Sequence, residues 1–266
     1  MRLPGAAWMK HEGTLELLHS ETTLYVLLVA FVATTIRSTF GFGEGLVAVP
    51  LLALFMPISV ATPLVSLLSV TIGGVVVLQD WSRIRFRSAG WLIGATVFGI
   101  PIGLVVLMSS HPIAIKAALA LVIISFSLYS LKNSNRFALE RDDARILLVC
   151  GFAAGILGGA YGMNGPPLAV YGTLRRWTAQ HFRATLQAYF LPASLIGLVG
   201  YWLAGIWVPA VTHYYVVSLP VAIPAILLGR FLNRRLRGDQ FAKYIYAGLV
   251  VIGTILLMEA FHSSIG

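Results

Sequence analysis

Charged residues are scarce in this sequence. Asp, Glu, Lys and Arg make up 11% of the 266 residues, whereas a soluble domain carries about a quarter. Apolar residues make up 58% of the chain, and the mean hydropathy is +0.85. A chain with so few charges cannot cover a water-facing surface, so the composition excludes a soluble enzyme or a soluble binding domain.

The residues that support catalysis or metal binding are also few. Cys150 is the single cysteine, so an internal disulfide is excluded, and its apolar surroundings predict a small buried side chain. His111, His181 and His213 lack the spacing of metal ligands. The apolar segments contain no paired carboxylates, no Ser/His/Asp set and no phosphate-binding loop. We therefore expect no enzymatic activity, no metal and no cofactor.

Positive charge, in contrast, is in excess, with a formal net charge of +9. A basic chain can bind nucleic acid, but no face here combines basic and aromatic residues, so we expect no nucleic acid partner. Most Lys and Arg residues lie instead in short segments between apolar runs, where they mark loops on the cytoplasmic side. These segments are 83–87, 132–145, 175–183 and 230–243.

Eight apolar runs are long enough to cross a membrane, because about 20 helical residues span the hydrocarbon core. They fall at about 23–40, 60–79, 90–108, 112–131, 145–161, 184–204, 211–232 and 241–260. Two further runs, about 46–57 and 166–174, reach only roughly 14 to 18 Å. The pattern predicts an all-α polytopic membrane protein with about eight long transmembrane helices and two short helices that are broken or re-entrant.

The order of segments occurs twice. Each half has a long segment, a glycine-rich break, a short segment and three long segments. Residues 61–62 and 184–185 are both Ala-Thr, and Gly103 has a counterpart in Gly229. This order predicts two structural repeats that meet at the basic linker.

Loop charges predict the relative orientation of the repeats. The loop around Arg83 is basic, whereas its counterpart at 205–209 contains no Lys or Arg. Conversely, the turn at 109–112 contains no Lys or Arg, whereas its counterpart near Arg235 is basic. Equivalent loops of opposite charge indicate inverted repeats, with both termini outside and the basic loops inside. The first residues lack the features of a cleaved signal peptide. We expect an extramembrane segment at 1–22, a first repeat at 23–131, a cytoplasmic linker at 132–144 and a second repeat at 145–262.

A glycine-rich break precedes each short helix. A helix that starts at membrane depth has free N–H groups and a positive dipole end, and glycines allow a ligand to approach the backbone. Two such helix starts that meet near the midplane would bind a small anion. The alternative is that the glycines serve only close helix packing. The candidate binding residues are Gly41, Gly43, Gly45, Gly162, Asn164, Gly165 and Pro166.

These motifs resemble the TauE/SafE family of sulfite exporter-like permeases, from about Tyr25 onward. The resemblance rests on residues 41–45 with Pro50, on the glycines of 151–159 that lead to Gly162-Met163-Asn164-Gly165-Pro166-Pro167, and on Phe182-Arg183-Ala184-Thr185. It implies a carrier for sulfur oxyanions or organosulfonates in a bacterial-type inner membrane. Glu44 departs from the family, where this position is commonly small.

Three charged residues lie near the predicted site. Arg183 matches the family motif at the start of a long segment, and it either contacts lipid phosphate or attracts anions to the pathway. For Arg37 we favour an extended side chain that reaches the interface over a contact with substrate. For Glu44 we favour exposure to cytoplasmic water. The alternative is a buried carboxyl that carries a proton with the substrate, which makes Glu44 the candidate coupling residue.

The function predicted from the sequence is secondary transport of small anions, with export of sulfite or an organosulfonate across the cytoplasmic membrane favoured. One alternative is an uptake permease for another anion, such as sulfate or a carboxylate. Another is a membrane component that does not transport. The expected partners are the anionic substrate, the lipid bilayer and protons as the candidate coupling ion.

Overall fold

The computed structural model describes residues 20–80, 86–109, 112–132, 143–174 and 179–235, and single helical positions between 247 and 260. Within these residues every regular element is a helix and no strand occurs. The helices are α1 (Ser20–Phe40), α2 (Glu44–Leu52), α3 (Ile58–Asp80), α4 (Phe86–Leu107), α5 (Pro112–Lys132), α6 (Ala144–Tyr161), α7 (Gly165–Leu174), α8 (Ala179–Leu203) and α9 (Pro209–Arg235).

Seven of these helices are long and apolar enough to cross a membrane, namely all except α2 and α7. They coincide with seven of the eight predicted long segments, and they confirm an all-helical, multi-pass membrane protein. The predicted segment 241–260 falls largely outside the described residues, as do the N-terminal segment 1–19 and most of the linker. Large apolar side chains such as Leu78, Phe98 and Val105 are more than 70% exposed, as expected for a surface that faces lipid.

Two short helices follow the glycine-rich breaks, as the sequence predicts. Helix α2 has 9 residues and α7 has 10, so neither can span the hydrocarbon core. Helix α2 ends at Leu52, before the predicted limit at about residue 57, and a turn leads into α3. Residues of α2 such as Leu46, Val49 and Leu52 are at most 2% exposed, so this helix is enclosed by protein.

The most extensive helix contact joins α4 and α6. Its seam consists of glycines spaced four residues apart, Gly99 and Gly103 on α4 and Gly151, Gly155 and Gly159 on α6. A Cβ atom on Gly155 would lie 2.5 Å from the carbonyl oxygen of Thr96 and 2.9 Å from the Cα of Gly99. The two backbones are therefore in direct contact, which only small residues permit.

The second most extensive contact joins α1 and α9 and has the same character. A Cβ atom on Gly229 would lie 2.6 Å from the carbonyl oxygen of Thr35 and would overlap Ser38. Gly229 thus packs on α1 as Gly103 packs on α6, where a Cβ would lie 2.7 Å from the nitrogen of Ala160. The other large contacts, α3 with α8, α4 with α8 and α3 with α9, also join one half of the chain to the other.

Candidate functional site

The first helix break reverses the chain between α1 and α2. Gly41 and Gly43 have φ values of 84° and 99°, in the left-handed region that favours glycine. Helix α2 then starts at Glu44, and Gly43 at its cap makes no side-chain hydrogen bond. The first intrahelical bond runs from the N–H of Val47 to the carbonyl of Gly43, at 3.1 Å. The preceding N–H groups have no partner within the helix and are potential donors to a ligand.

The second break closes α6 before α7 begins. Gly162 has a φ of 63°; its N–H donates to Gly158, and the N–H of Met163 donates to Leu157 at 3.2 Å. These bonds satisfy the last carbonyls of α6, as in a Schellman motif. Helix α7 starts with Gly165, Pro166 and Pro167. Because the two prolines have no N–H, this helix start offers fewer backbone donors than that of α2.

The two breaks touch each other. A Cβ atom on Gly45 would overlap the carbonyl oxygen of Gly162 and lie 3.2 Å from the Cγ of Met163. On the other side, a Cβ atom on Gly165 would lie 3.4 Å from the ring of Phe42. The structure therefore brings the predicted glycines of both halves to one place. It also shows that Gly45 fulfils the packing role that the sequence left as an alternative.

The predicted donor Asn164 lies in the second break and is 8% exposed. A Cβ atom on Gly158 would lie 2.5 to 2.7 Å from its amide group, so the absence of a side chain at Gly158 makes room for it. The amide also interacts with the hydroxyl of Tyr189. That hydroxyl lies 2.7 Å from Thr96 on α4, so Asn164 belongs to a buried polar cluster shared by both halves.

Arg37 and Glu44 correct two expectations. Arg37 is 3% exposed and Glu44 is 2% exposed, and they form an ion pair at 2.6 Å across the first break. The prediction that Arg37 extends to the interface was wrong, as was the prediction that Glu44 faces water. Both fail for the same reason. Each charge neutralises the other and lowers the cost of burying it, so neither side chain needs water as a counter-charge.

The ion pair is held by helices α3 and α8. The guanidinium group of Arg37 donates to the hydroxyl of Ser69 and, at 3.0 Å, to the amide oxygen of Gln187. The amide nitrogen of Gln187 donates in turn to the carbonyl oxygen of Gly41 at 3.0 Å. The guanidinium carbon lies 5.1 Å from the ring centre of Phe190. This ion-pair cluster, Arg37, Glu44, Ser69, Gln187 and Phe190, joins the first break to the second half of the chain.

The cluster is not saturated with hydrogen bonds. The Nε of Arg37 and the Oε1 of Glu44 are buried without a partner. A buried donor or acceptor without a partner costs about 1 to 3 kcal/mol, more for a charged group. The ion pair itself thus leaves a donor on Arg37 and an acceptor on Glu44 without partners, next to the predicted anion site.

No motif in the sequence predicted a role for Ser69, Gln187 or Phe190. An amide within the apolar segment 184–204 was a usable signal for Gln187, because polar groups inside a membrane require partners. Serine and phenylalanine are common in such segments, so no pattern identifies Ser69 or Phe190. The backbone of Arg183 lies in α8, whereas its side chain is outside the described residues.

Polar groups from both halves thus lie together at the two breaks, and apolar helices enclose them. A family model, sulfite exporter TauE/SafE, matches residues 26–256. The chain belongs to the TauE/SafE family. This confirms the resemblance found in the motifs and identifies a sulfite exporter-like membrane transporter with a small anionic substrate. No curated protein and no solved structure matches the chain.

Proposed function

We propose that this TauE/SafE protein is a secondary transporter that exports sulfite or an organosulfonate across the cytoplasmic membrane. The main observation that supports the proposal is that the two helix breaks are in contact and that the buried Arg37 lies beside them. A cation enclosed at membrane depth is costly and marks a site for a charged ligand. The family supplies the substrate class, because its members are sulfite exporter-like.

The proposed binding site is the backbone of both breaks. The free N–H groups at the start of α2 would donate to the anion, and the glycines at 41, 43, 45, 162 and 165 would allow its oxygens to reach the backbone. Asn164 would add amide donors and Pro166 would start α7. Arg183, at the start of α8, would attract anions to the cytoplasmic opening of the pathway.

The helix contacts support the proposed inverted repeats. If α1 to α5 correspond to α6 and the helices after it, then the α1–α9 contact is equivalent to the α6–α4 contact. The α3–α9 contact is likewise equivalent to the α8–α4 contact. When a pseudo-twofold axis relates two repeats, each helix contact between the repeats is expected to occur a second time between the equivalent helices. Transport would then proceed by movements of the repeats around the breaks.

Sulfite flux tests the proposed function directly. We expect purified wild-type protein in proteoliposomes to carry radiolabelled sulfite at least about 10-fold faster than protein-free liposomes. Glu21→Gln, at an exposed position of α1, is the control and should match the parent. Parallel assays with methanesulfonate, sulfate and acetate separate the alternatives. Preferred flux of acetate or sulfate would favour the uptake alternatives, and absence of flux for all four anions would contradict a transport function.

Labelling tests the proposed topology. In a Cys150→Ser background, Ala138→Cys places a thiol in the basic linker, and Ala204→Cys places one in the turn between α8 and α9. We expect a membrane-impermeant maleimide applied outside intact cells to label position 204 and not position 138. The reverse pattern would contradict the inside location of the basic loops and the outside location of both termini.

A further inference from the structure

We propose that Arg37 is a direct ligand of the transported anion, and that Glu44 is a displaceable counter-ion that occupies the same guanidinium group when no substrate is bound. The inference rests on the proposed anion transport and names the residue that would bind the substrate. Its basis is the ion-pair cluster at the first break, in which Arg37 and Glu44 are paired and buried.

The position of Arg37 suits a ligand-binding role. It lies in the last turn of α1, and the N–H of Gly41 donates to its carbonyl at 2.6 Å, so its backbone forms the edge of the break. A Cβ atom on Gly73 would lie 3.4 Å from its Nη2, so α3 leaves room for the guanidinium group. Gln187 and Phe190 fix the plane of this group from α8. The cation is therefore held rigidly beside the proposed site.

The ion pair leaves hydrogen-bonding groups unused, which would favour replacement of the Glu44 carboxylate by the substrate anion. The Glu44 carboxylate engages Nη1 through one oxygen only, while its other oxygen and the Nε of Arg37 have no partner. A guanidinium group presents five donors, and its geometry matches two oxygens of an oxyanion at once. Sulfite and sulfonates carry three such oxygens, so they can use donors that the carboxylate leaves free.

The flanking backbone would allow Glu44 to move. Glu44 is the first residue of α2 and stands between Gly43 and Gly45, directly after the two left-handed glycines. Arg37, in contrast, is also anchored to α3 and α8 through its side-chain contacts. Displacement therefore moves the carboxyl group and leaves the guanidinium group in place.

Charge balance determines what Glu44 must do when the anion binds. Within the described residues, the Glu44 carboxyl interacts with Arg37 from α1 and Ser69 from α3, and Arg37 is the single charged group among these contacts. An ionised Glu44 beside a bound anion would leave a buried negative charge without a partner, which is unfavourable. The carboxylate therefore accepts one proton as the anion binds to Arg37. It loses that proton when the anion leaves and the ion pair reforms.

The second break contains no equivalent ion pair. The alignment that places Gly41 on Gly162 places Gly158 at the position of Arg37 and Gly165 at the position of Glu44. The first break would supply the charge and the second would supply only backbone and the Asn164 amide. One chain would therefore bind one anion at a time through a single guanidinium group.

The test compares the two single charge removals with their combination. We expect Glu44→Gln to bind sulfite about 10-fold more tightly than the parent, because the competing carboxylate is gone. Its flux of methanesulfonate, which remains a monoanion over this range, should no longer change between pH 6 and pH 8, whereas the flux of the parent changes. Arg37→Gln/Glu44→Gln removes both charges, so the protein should unfold at the parent temperature but bind sulfite at least about 30-fold more weakly.

Binding is measured as the shift in unfolding temperature of purified full-length protein on addition of sulfite, with sulfate as the control for oxidised sulfite. A double variant that binds and carries sulfite as the parent does would overturn the proposal and leave the pair a packing feature. A Glu44→Gln variant with the parent's pH response would show that Glu44 does not carry the proton. If the parent carries another anion instead of sulfite, the proposed substrate is wrong, and the same variants are compared with the carried anion.

Arg37→Lys tests direct binding of the anion by the guanidinium group if the double variant does not give monodisperse protein. Lysine keeps the charge that pairs with Glu44 but lacks the planar pair of donors. We expect an unfolding temperature close to that of the parent and sulfite affinity lower by about 10-fold. Unchanged sulfite affinity in this variant would contradict a direct contact between the guanidinium group and the anion.

Discussion

We expect Gly103→Leu to prevent folding, so that little correctly folded protein accumulates in the membrane. A Cβ atom at this position would already lie 2.7 Å from the backbone nitrogen of Ala160 and 2.9 Å from the Cα of Gly159. Both are main-chain atoms of α6, which cannot rotate away as a side chain can. Relief requires separation of α4 from α6, so the cost should exceed the roughly 1 to 3 kcal/mol typical of overpacking.

Gly94→Leu is the matched control for this prediction. Gly94 lies on the same helix, and a Cβ there would meet no atom within 4 Å. Membrane extracts analysed by size-exclusion chromatography with a fluorescent fusion should show a monodisperse peak for Gly94→Leu and an aggregated or depleted one for Gly103→Leu. Equal peaks for the two variants would contradict the direct backbone contact between α4 and α6.

Substitution at the two breaks is expected to separate packing from binding. Gly45→Ala should reduce both stability and flux severely, because its methyl group would overlap the carbonyl oxygen of Gly162. Gly165→Ala should leave the unfolding temperature unchanged, since its methyl group would meet Phe42 at an ordinary contact distance of 3.4 Å. Sulfite flux should nevertheless fall by about 10-fold or more in Gly165→Ala, because the methyl group blocks approach to the backbone.

Unfolding temperature and proteoliposome flux are measured on the same preparations. Gly74→Ala provides the control, because a Cβ there meets nothing within 4 Å. Parent-like stability in Gly45→Ala would contradict the contact between the breaks. Parent-like flux in Gly165→Ala would remove the start of α7 from the binding site and leave Gly165 a packing residue.

The sequence predicted the helices well because long apolar runs allow little else in a membrane. Without water, a spanning segment must satisfy its own backbone, so 23–40 and 145–161 could only be helices. The starts of α2 and α7 were also predictable, because left-handed glycines at 41 and 162 end the preceding helices. These features depend on residues that are neighbours in the chain.

The burial of the ion pair was not predictable, because the residues that enclose it are far from it in sequence. Arg37 lies close to the end of its helix, where an extended side chain that reaches the interface is common. Its acceptor Gln187 is 150 positions away, and no local pattern indicates that α8 encloses the end of α1. Glu44 was wrongly placed in water for the same reason. The proline content of α7, which reduces its donors, was visible in the sequence but was read only as compatible with a helix start.

The location of Arg37 has a consequence for biosynthesis. Helix α1 is inserted early, and Arg37 in its last turn adds an insertion cost, which reaches about 2.5 to 3.5 kcal/mol for an arginine at a helix centre. Glu44 follows only seven residues later and can neutralise Arg37. Gln187, which binds Arg37, and α9, which packs on α1, are synthesised only after most of the chain. During translation α1 is therefore a membrane-inserted helix without its final neighbours. In a nascent chain interrupted before α8, Arg37 would lack its contacts with Gln187 and Phe190. We expect membrane proteases to recognise such a chain.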